Sequence, residues 1–200
     1  SLTTPIALSI AGSDPSGGAG IQADLKTFHQ FGVYGEAVLT LLTVQNTRTV
    51  SRVELMDPAL VVEQIQAVLT DIPPHAAKTG ALGSAAIVKA VAHELKTAAF
   101  PLVVDPVMIS KHGSLLIAED ARAVVISHLL PLAALATPNA HEAASLAGME
   151  SIRTVAEAEE AAGRILTLGP RAVLIKGGHL YGEAEAVDLL LTGKWSKPRL

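Results

Sequence analysis

Short, predominantly apolar runs alternate along this chain with longer stretches whose apolar residues recur every three or four positions. Ile6–Ala11, Ala37–Val44, Leu102–Val104, Ala133–Ala136, Ala172–Ile175 and Ala186–Leu191 are runs of the first kind. Continuous hydrophobicity over so few residues predicts strands buried on both faces. His75–Thr79 reads as a further short strand, and the alternating Val50–Leu55 as an edge strand. The helical period predicts helices over Ile21–Phe31, from Asp57-Pro58 to Asp71, and from Ser84 through Ile87, Val91 and Leu95. Others are predicted over Glu119–Leu129, from Glu142 to Leu146, and from Thr154 to about Leu168. Asp57 is an N-cap followed by proline at the first helical position, and Thr154 with Glu157 forms a capping box. Gly80–Gly83 and Ile109–Leu116 read as loops, and Thr192-Gly193 as a turn before a weak final strand. Strands alternating with amphipathic helices predict an α/β fold, a mainly parallel sheet with helices on both faces. No repeat, low-complexity tract or linker interrupts it, so residues 1–200 read as a single domain.

In such sheets ligands bind outside the carboxyl ends of the strands. Ser13, Asp14, Gln45, Asn46, Lys78, Asp105, Asn139 and Lys176 all stand at or just past predicted strand ends, so they are expected to share one rim. The first strand runs into a loop with Gly12, Gly17, Gly18 and Gly20 and then into a helix. At ~100° per residue, Leu25 and Phe28 fall within ~40° of Ile21, and Asp24 lies between Phe28 and Phe31. A carboxylate on an apolar face needs a partner, because burying an unpaired charge is costly. Two readings remain open: Asp24 bonds loop N–H groups or the helix dipole, or it receives hydrogen bonds from a ligand.

Composition narrows the classes. Hydrophobic residues make up 50 % but aromatics only 3 %, so the core is aliphatic. The net charge of −4, without a basic cluster, argues against nucleic acid and anionic membranes. No apolar run approaches ~18 residues, and no signal-peptide pattern opens the chain. With no cysteine there is neither a disulfide framework nor a thiolate metal site. A soluble cytoplasmic protein is the expectation.

Motif chemistry at the first loop can be sorted by spacing. Gly18-Ala19-Gly20-Ile21-Gln22-Ala23 matches the dinucleotide pattern G-x-G-x-x-A, but it stands too far from the strand. The acidic residue expected at the end of the second strand is replaced by Gln45-Asn46. There is no Gly-Lys-Ser/Thr of a P-loop and no G-x-S-x-G nucleophile elbow. The stretch Ala11–Lys26 instead resembles the first loop and helix of the hydroxymethylpyrimidine/phosphomethylpyrimidine kinases of thiamine biosynthesis. Gln45-Asn46-Thr47, Lys78-Thr79-Gly80, Asp105-Pro106-Val107-Met108, Thr137-Pro138-Asn139 with Glu142, and Lys176-Gly177-Gly178-His179 follow in that family's order.

The resemblance spans nearly the whole chain and implies a ribokinase-like fold, ATP as phosphate donor, Mg²⁺ and a homodimer. It implies that Asp24 and Gln45 hold the pyrimidine, that Gly12 lets the ring approach the backbone, and that Ala81 and Val107 line the pocket. Asp105, Asn139, Lys111 and Lys176 are implied at the ATP phosphates, and Glu142 with Asp105 at the metal. The residues by themselves leave blander roles open. Asn139 and Glu142 also read as an N-cap and its capping-box acid, Asp105 as a turn residue and Lys111 as a surface lysine. Lys176 is different, since lysine is seldom favoured at a buried strand end. His179 is a possible nucleotide neighbour.

Two positions depart from the family pattern: His112 replaces a small residue, and Ala81 a frequent methionine. The family's Gly-Thr-Gly-Cys or Gly-Thr-Gly-Asp motif, which carries the catalytic base, has no match here, and the natural chain is expected to continue past Leu200. The expected activity is phosphorylation of 4-amino-5-hydroxymethyl-2-methylpyrimidine and its monophosphate. The rivals are a pyridoxal kinase of the same fold and a non-catalytic pyrimidine-phosphate-binding domain.

Overall fold

A computed structural model describes residues 4–108, 119–178, 180 and 185–193. One eight-stranded sheet organises them, in the order β3-β2-β1-β4-β5-β6-β7-β8. The central strands are β1 (Ile6–Ser13), β2 (Tyr34–Gln45), β4 (Ala76–Thr79), β5 (Leu102–Val104), β6 (Leu135–Ala136) and β7 (Ala172–Lys176), and they are mutually parallel. The edge strands β3 (Val50–Leu55) and β8 (Asp188–Thr192) pair antiparallel. The mainly parallel sheet expected from the apolar runs is therefore present. The weak strand expected after Gly193, the Ile109–Leu116 loop with Lys111, and His179 lie outside the described residues.

The helices are α1 (Gly20–Gln30), α2 (Pro58–Asp71), α3 (Ala85–Leu95), α4 (Glu119–Val124), α5 (Ala140–Ala147) and α6 (Val155–Leu166). The side chains of Asp57, Ser84, Asn139 and Thr154 accept the first free N–H groups of α2, α3, α5 and α6, as their sequences predict. The segment expected to be one helix to Leu129 changes character. After Val124 it widens into a π turn over Val125–Leu129, then tightens into a 3₁₀ turn over Leu130–Leu132. Pro131 lacks the N–H that a continuing α-helix needs.

The chain moves from β1 through α1 to β2 on one side, and from β4 through α3 to β5 on the other. Right-handed crossovers in opposite directions put α1 on one face of the sheet and α2 and α3 on the other. The strand order thus reverses between β1 and β4, where a crevice opens at the carboxyl ends. Leu8, Ile10, Val38, Val61, Ile65, Ile87, Val88, Val104 and Ile175 are fully buried in an aliphatic core. Successive side chains alternate across a strand, so Ser9, between Leu8 and Ile10, points to the face that carries α1. The register pairs Ser9 with Lys78, and both therefore emerge beneath α1.

One half-buried acid lies far from this crevice. Both carboxylate oxygens of Glu36 on β2 are buried without a hydrogen-bond partner among the described residues. Burial, with Asp71 nearby, pushes its carboxyl above the usual range. The folded chain therefore holds this proton more tightly than the unfolded chain does, and the carboxylate costs stability at neutral pH. Glu36→Met is expected to gain about 1 kcal/mol at neutral pH. That gain shrinks as pH falls towards 4.5, the ordinary value. Urea titrations at several pH values check this, and a pH-independent difference would rule out the charge as the cause.

Candidate active site

A cavity of about 280 Å³ opens at the β1–β4 crevice. Gly12, Asp24, Gln45, Ala81 and Val107, the five residues expected to meet the pyrimidine, all line it, together with Lys78 and Asp105. Its rim is set by an irregularity between β1 and β2. Ala11 pairs with Leu39 but Ser13 with Leu42, so Thr40 and Leu41 of β2 bulge opposite Gly12. Gly20 then starts α1 at φ +58, packed directly on the Gly12 carbonyl.

Side chains fasten the loop between them. Gln22 accepts from the Asp14 N–H at 2.8 Å and donates to Ser13 Oγ at 2.7 Å. Asp14 is 1 % exposed and accepts from Ser16 N, Ser16 Oγ and Gly18 N. Burial opposes its ionisation, but donors from Ser16, Ala19 and Gly18 outweigh burial and hold its carboxyl below the usual range. Lys26 closes the loop from outside by donating to the Gly17 carbonyl at 3.0 Å.

Asp24 has found a partner, though neither loop N–H groups nor the helix dipole. Its Oδ2 accepts from Lys78 Nζ at 2.7 Å and from Ser9 Oγ at 2.6 Å. Oδ1 receives no hydrogen bond from any described residue. The helical-wheel expectation that Phe31 extends the apolar face fails. The helix ends at Gln30, and Phe31, outside it, is 78 % exposed. Gln45 is oriented by a relay, its Nε2 donating to Thr43 Oγ1 at 2.8 Å and Thr43 Oγ1 to the Ser13 carbonyl at 2.8 Å. That leaves the amide oxygen and one N–H of Gln45 for a ligand.

A second polar cluster lies at the ends of β5, β6 and β7. Asn139 and Glu142 form the capping box of α5, with bonds of 2.9 and 2.8 Å, so the blander reading of both is correct as local structure. Asn139 also bridges to Lys176, whose Nζ stands 3.4 Å from both Asp105 carboxylate oxygens. Glu142 is buried. Burial pushes its carboxyl above the usual range, the Asn139 N–H opposes this, and Asp105 adds to it. Asp105 belongs to both groups, since it also lines the cavity. Among the described residues no three His, Asp or Glu side chains gather as a ready metal cluster.

Sequence reasoning underweighted Lys78, a rim residue to which it gave no role. The signal was present: a lysine between buried Ala77 and Thr79 in a four-residue strand must leave the core face. Ser9 and Thr43 carried no such signal.

An eight-stranded α/β sheet with a ring-sized cavity at its switch point, beside a lysine–carboxylate cluster, fits a phosphotransferase of the ribokinase-like class. The sequence profile of phosphomethylpyrimidine kinase matches residues 14–197. The chain belongs to the phosphomethylpyrimidine kinase family. It is 49 % identical over 195 residues to a hydroxymethylpyrimidine/phosphomethylpyrimidine kinase of Synechococcus elongatus, covering 98 % of this chain and 74 % of that protein. The crystal structure of a phosphomethylpyrimidine kinase from Clostridium difficile superposes with a TM-score of 0.88 at 47 % identity, over 96 % of this chain and 82 % of that one. An ADP complex of Bacillus subtilis pyridoxal kinase gives 0.87 at 36 % identity, over 98 % and 73 %.

Proposed function

We propose that the cavity holds 4-amino-5-hydroxymethyl-2-methylpyrimidine or its monophosphate, and that the second cluster holds the ATP that phosphorylates it. The observation that carries this is the convergence of Asp24, Gln45, Gly12, Ala81 and Val107 on one cavity. An aminopyrimidine donates through its amino group and accepts at its ring nitrogens. Asp24 Oδ1 and the Gln45 amide answer both needs. Gly12 lines the cavity without a side chain, so the ring can lie against its backbone, and Ala81 and Val107 supply apolar walls.

Phosphoryl transfer depends mainly on positioning and charge neutralisation. Lys176 supplies an ammonium to the phosphates, and the backbone bridge to Asn139 places it beside the start of α5. Lys111 is retained as a second phosphate contact on the family pattern alone. Glu142 and Asp105 fit a Mg²⁺ ion because burial and the nearby Asp105 raise the cost of the Glu142 charge. Such an ion takes few protein carboxylates and completes its shell with phosphate and water. When bound, it supplies charge neutralisation at the phosphates.

Pyridoxal phosphorylation is a second reading, favoured by the likeness to pyridoxal kinases. Calorimetry with each compound, followed by ATP-dependent product formation, separates the two. Hydroxymethylpyrimidine is expected to bind at least about tenfold tighter than pyridoxal, because Asp24 and Gln45 go unanswered where the amino group is missing. The reverse order would assign the site to pyridoxal.

A further inference from the structure

The arrangement around Asp24 leads beyond recognition of an aminopyrimidine to a choice of its protonation state. Resting on the pyrimidine reading above, we infer that Lys78 is a positioning residue which makes the cavity select the neutral ring over the ring-protonated cation. Lys78 Nζ and Ser9 Oγ both hold Oδ2 of Asp24, at 2.7 and 2.6 Å. The pair is only partly exposed, at 24 % and 18 % of the two side chains, so screening by water is reduced.

Two consequences follow. Oδ1 is left as the acceptor that no described residue fills, on a residue that lines the cavity, and the carboxylate's charge is already balanced. A neutral ring offering an amino N–H completes the site. A protonated ring would bring a second positive charge beside the Lys78 ammonium without a free negative charge to meet it. An unpaired Asp24 would reverse that preference, because a lone carboxylate in a half-buried site attracts a cation.

Among the described residues, the other charged groups around the cavity are committed elsewhere. On the loop after β1, Asp14 is saturated by Ser16 and Gly18. On β5, Asp105 faces Lys176. On α1 itself, Lys26 is turned to the Gly17 carbonyl. Gln45 and Thr43, from β2, carry no charge. Lys78 is therefore the group that sets the charge preference at Asp24. Its role is separable from simple anchoring, since Ser9 also holds Oδ2 and carries no charge.

Calorimetry of hydroxymethylpyrimidine binding, run from neutral pH to below the ring's own pKa in buffers of different ionisation enthalpy, tests this. The unmodified chain is expected to lose about tenfold in affinity for each pH unit below that pKa, with about one proton released on binding. Lys78→Met is expected to bind with flat or rising affinity over the same range and to release no proton. Lys78→Gln, which keeps a donor towards Asp24 but not the charge, should do the same, so the outcome does not depend on the folding of one variant. Lys78→Arg should restore the original profile, and Ser9→Ala should weaken binding several-fold without changing its pH slope. Equal proton release by the unmodified chain and by both neutral variants would overturn the inference and leave the pyrimidine reading intact. Absence of pyrimidine binding by the unmodified chain at every pH would overturn both.

Discussion

Asp24→Ala is expected to lower affinity for hydroxymethylpyrimidine by about a hundredfold while leaving ATP affinity within about twofold. A hydrogen bond to a charged group is worth roughly 1.5–3 kcal/mol, which spans about one to two orders of magnitude in binding. The upper end applies here because the loss is double. The acceptor on Oδ1 disappears, and Lys78 is left as an uncompensated cation at the ring's edge. ATP binding is spared because the groups assigned to it sit at the ends of β5, β6 and β7 and share no hydrogen bond with Asp24. Asp24→Asn keeps the shape but not the charge, and should fall between the two. Calorimetry with each ligand separately is the measurement, and unchanged pyrimidine affinity in the alanine variant would remove Asp24 from the site.

Gly20→Ala is expected to be the most damaging small substitution near the cavity, costing roughly 3 kcal/mol of stability. Gly20 has φ +58, a conformation that costs an L-residue about 1–2 kcal/mol. An added Cβ would also overlap the Gly12 carbonyl oxygen and lie 3.4 Å from the Asp14 nitrogen. These are backbone atoms, so no rotamer change relieves the clash, and overpacking adds about another 1–3 kcal/mol. The loop can escape only by moving Gly12, which lines the cavity, so ligand affinity should fall with stability. Gly148 isolates the two terms. It has φ +66 at the end of α5 with open space around the Cβ position, so Gly148→Ala should cost only about 1 kcal/mol. Urea denaturation of both variants decides it, and equal losses would mean that the contact with Gly12 carries no energy.

The local signals in the sequence were accurate where the cause is local. Asp57, Ser84, Asn139 and Thr154 cap the helices they were expected to cap, because an N-cap depends only on the next three residues. Five of the six apolar runs became parallel strands, Ala186–Leu191 became the antiparallel edge β8, and the alternating Val50–Leu55 became the other edge. Boundaries moved where tertiary pairing extended an element. β2 begins at Tyr34 rather than Ala37 because Ile6 in β1 offers it a partner, and β6 shrinks to Leu135–Ala136 between short neighbours. Phe31 misled because helical periodicity continues on paper past the residue where the helix stops.

The same division holds in the cavity that Asp24 faces. By itself the sequence determined that the chain is an α/β protein, that its polar residues collect at the carboxyl ends of the strands, and that a carboxylate sits on an apolar face and must be paired. These follow from hydrophobic period and from the cost of burying charge, which act at each position independently. The fold alone decided which pairs meet. Lys78 lies 54 residues from Asp24 and Lys176 lies 71 from Asp105, so their ion pairs exist only through strand order and register. The pairing of Ser9 with Lys78, on the face that carries α1, turns a generic acid into a clamped acceptor, because alternation along β1 and β4 sends both side chains beneath the same helix.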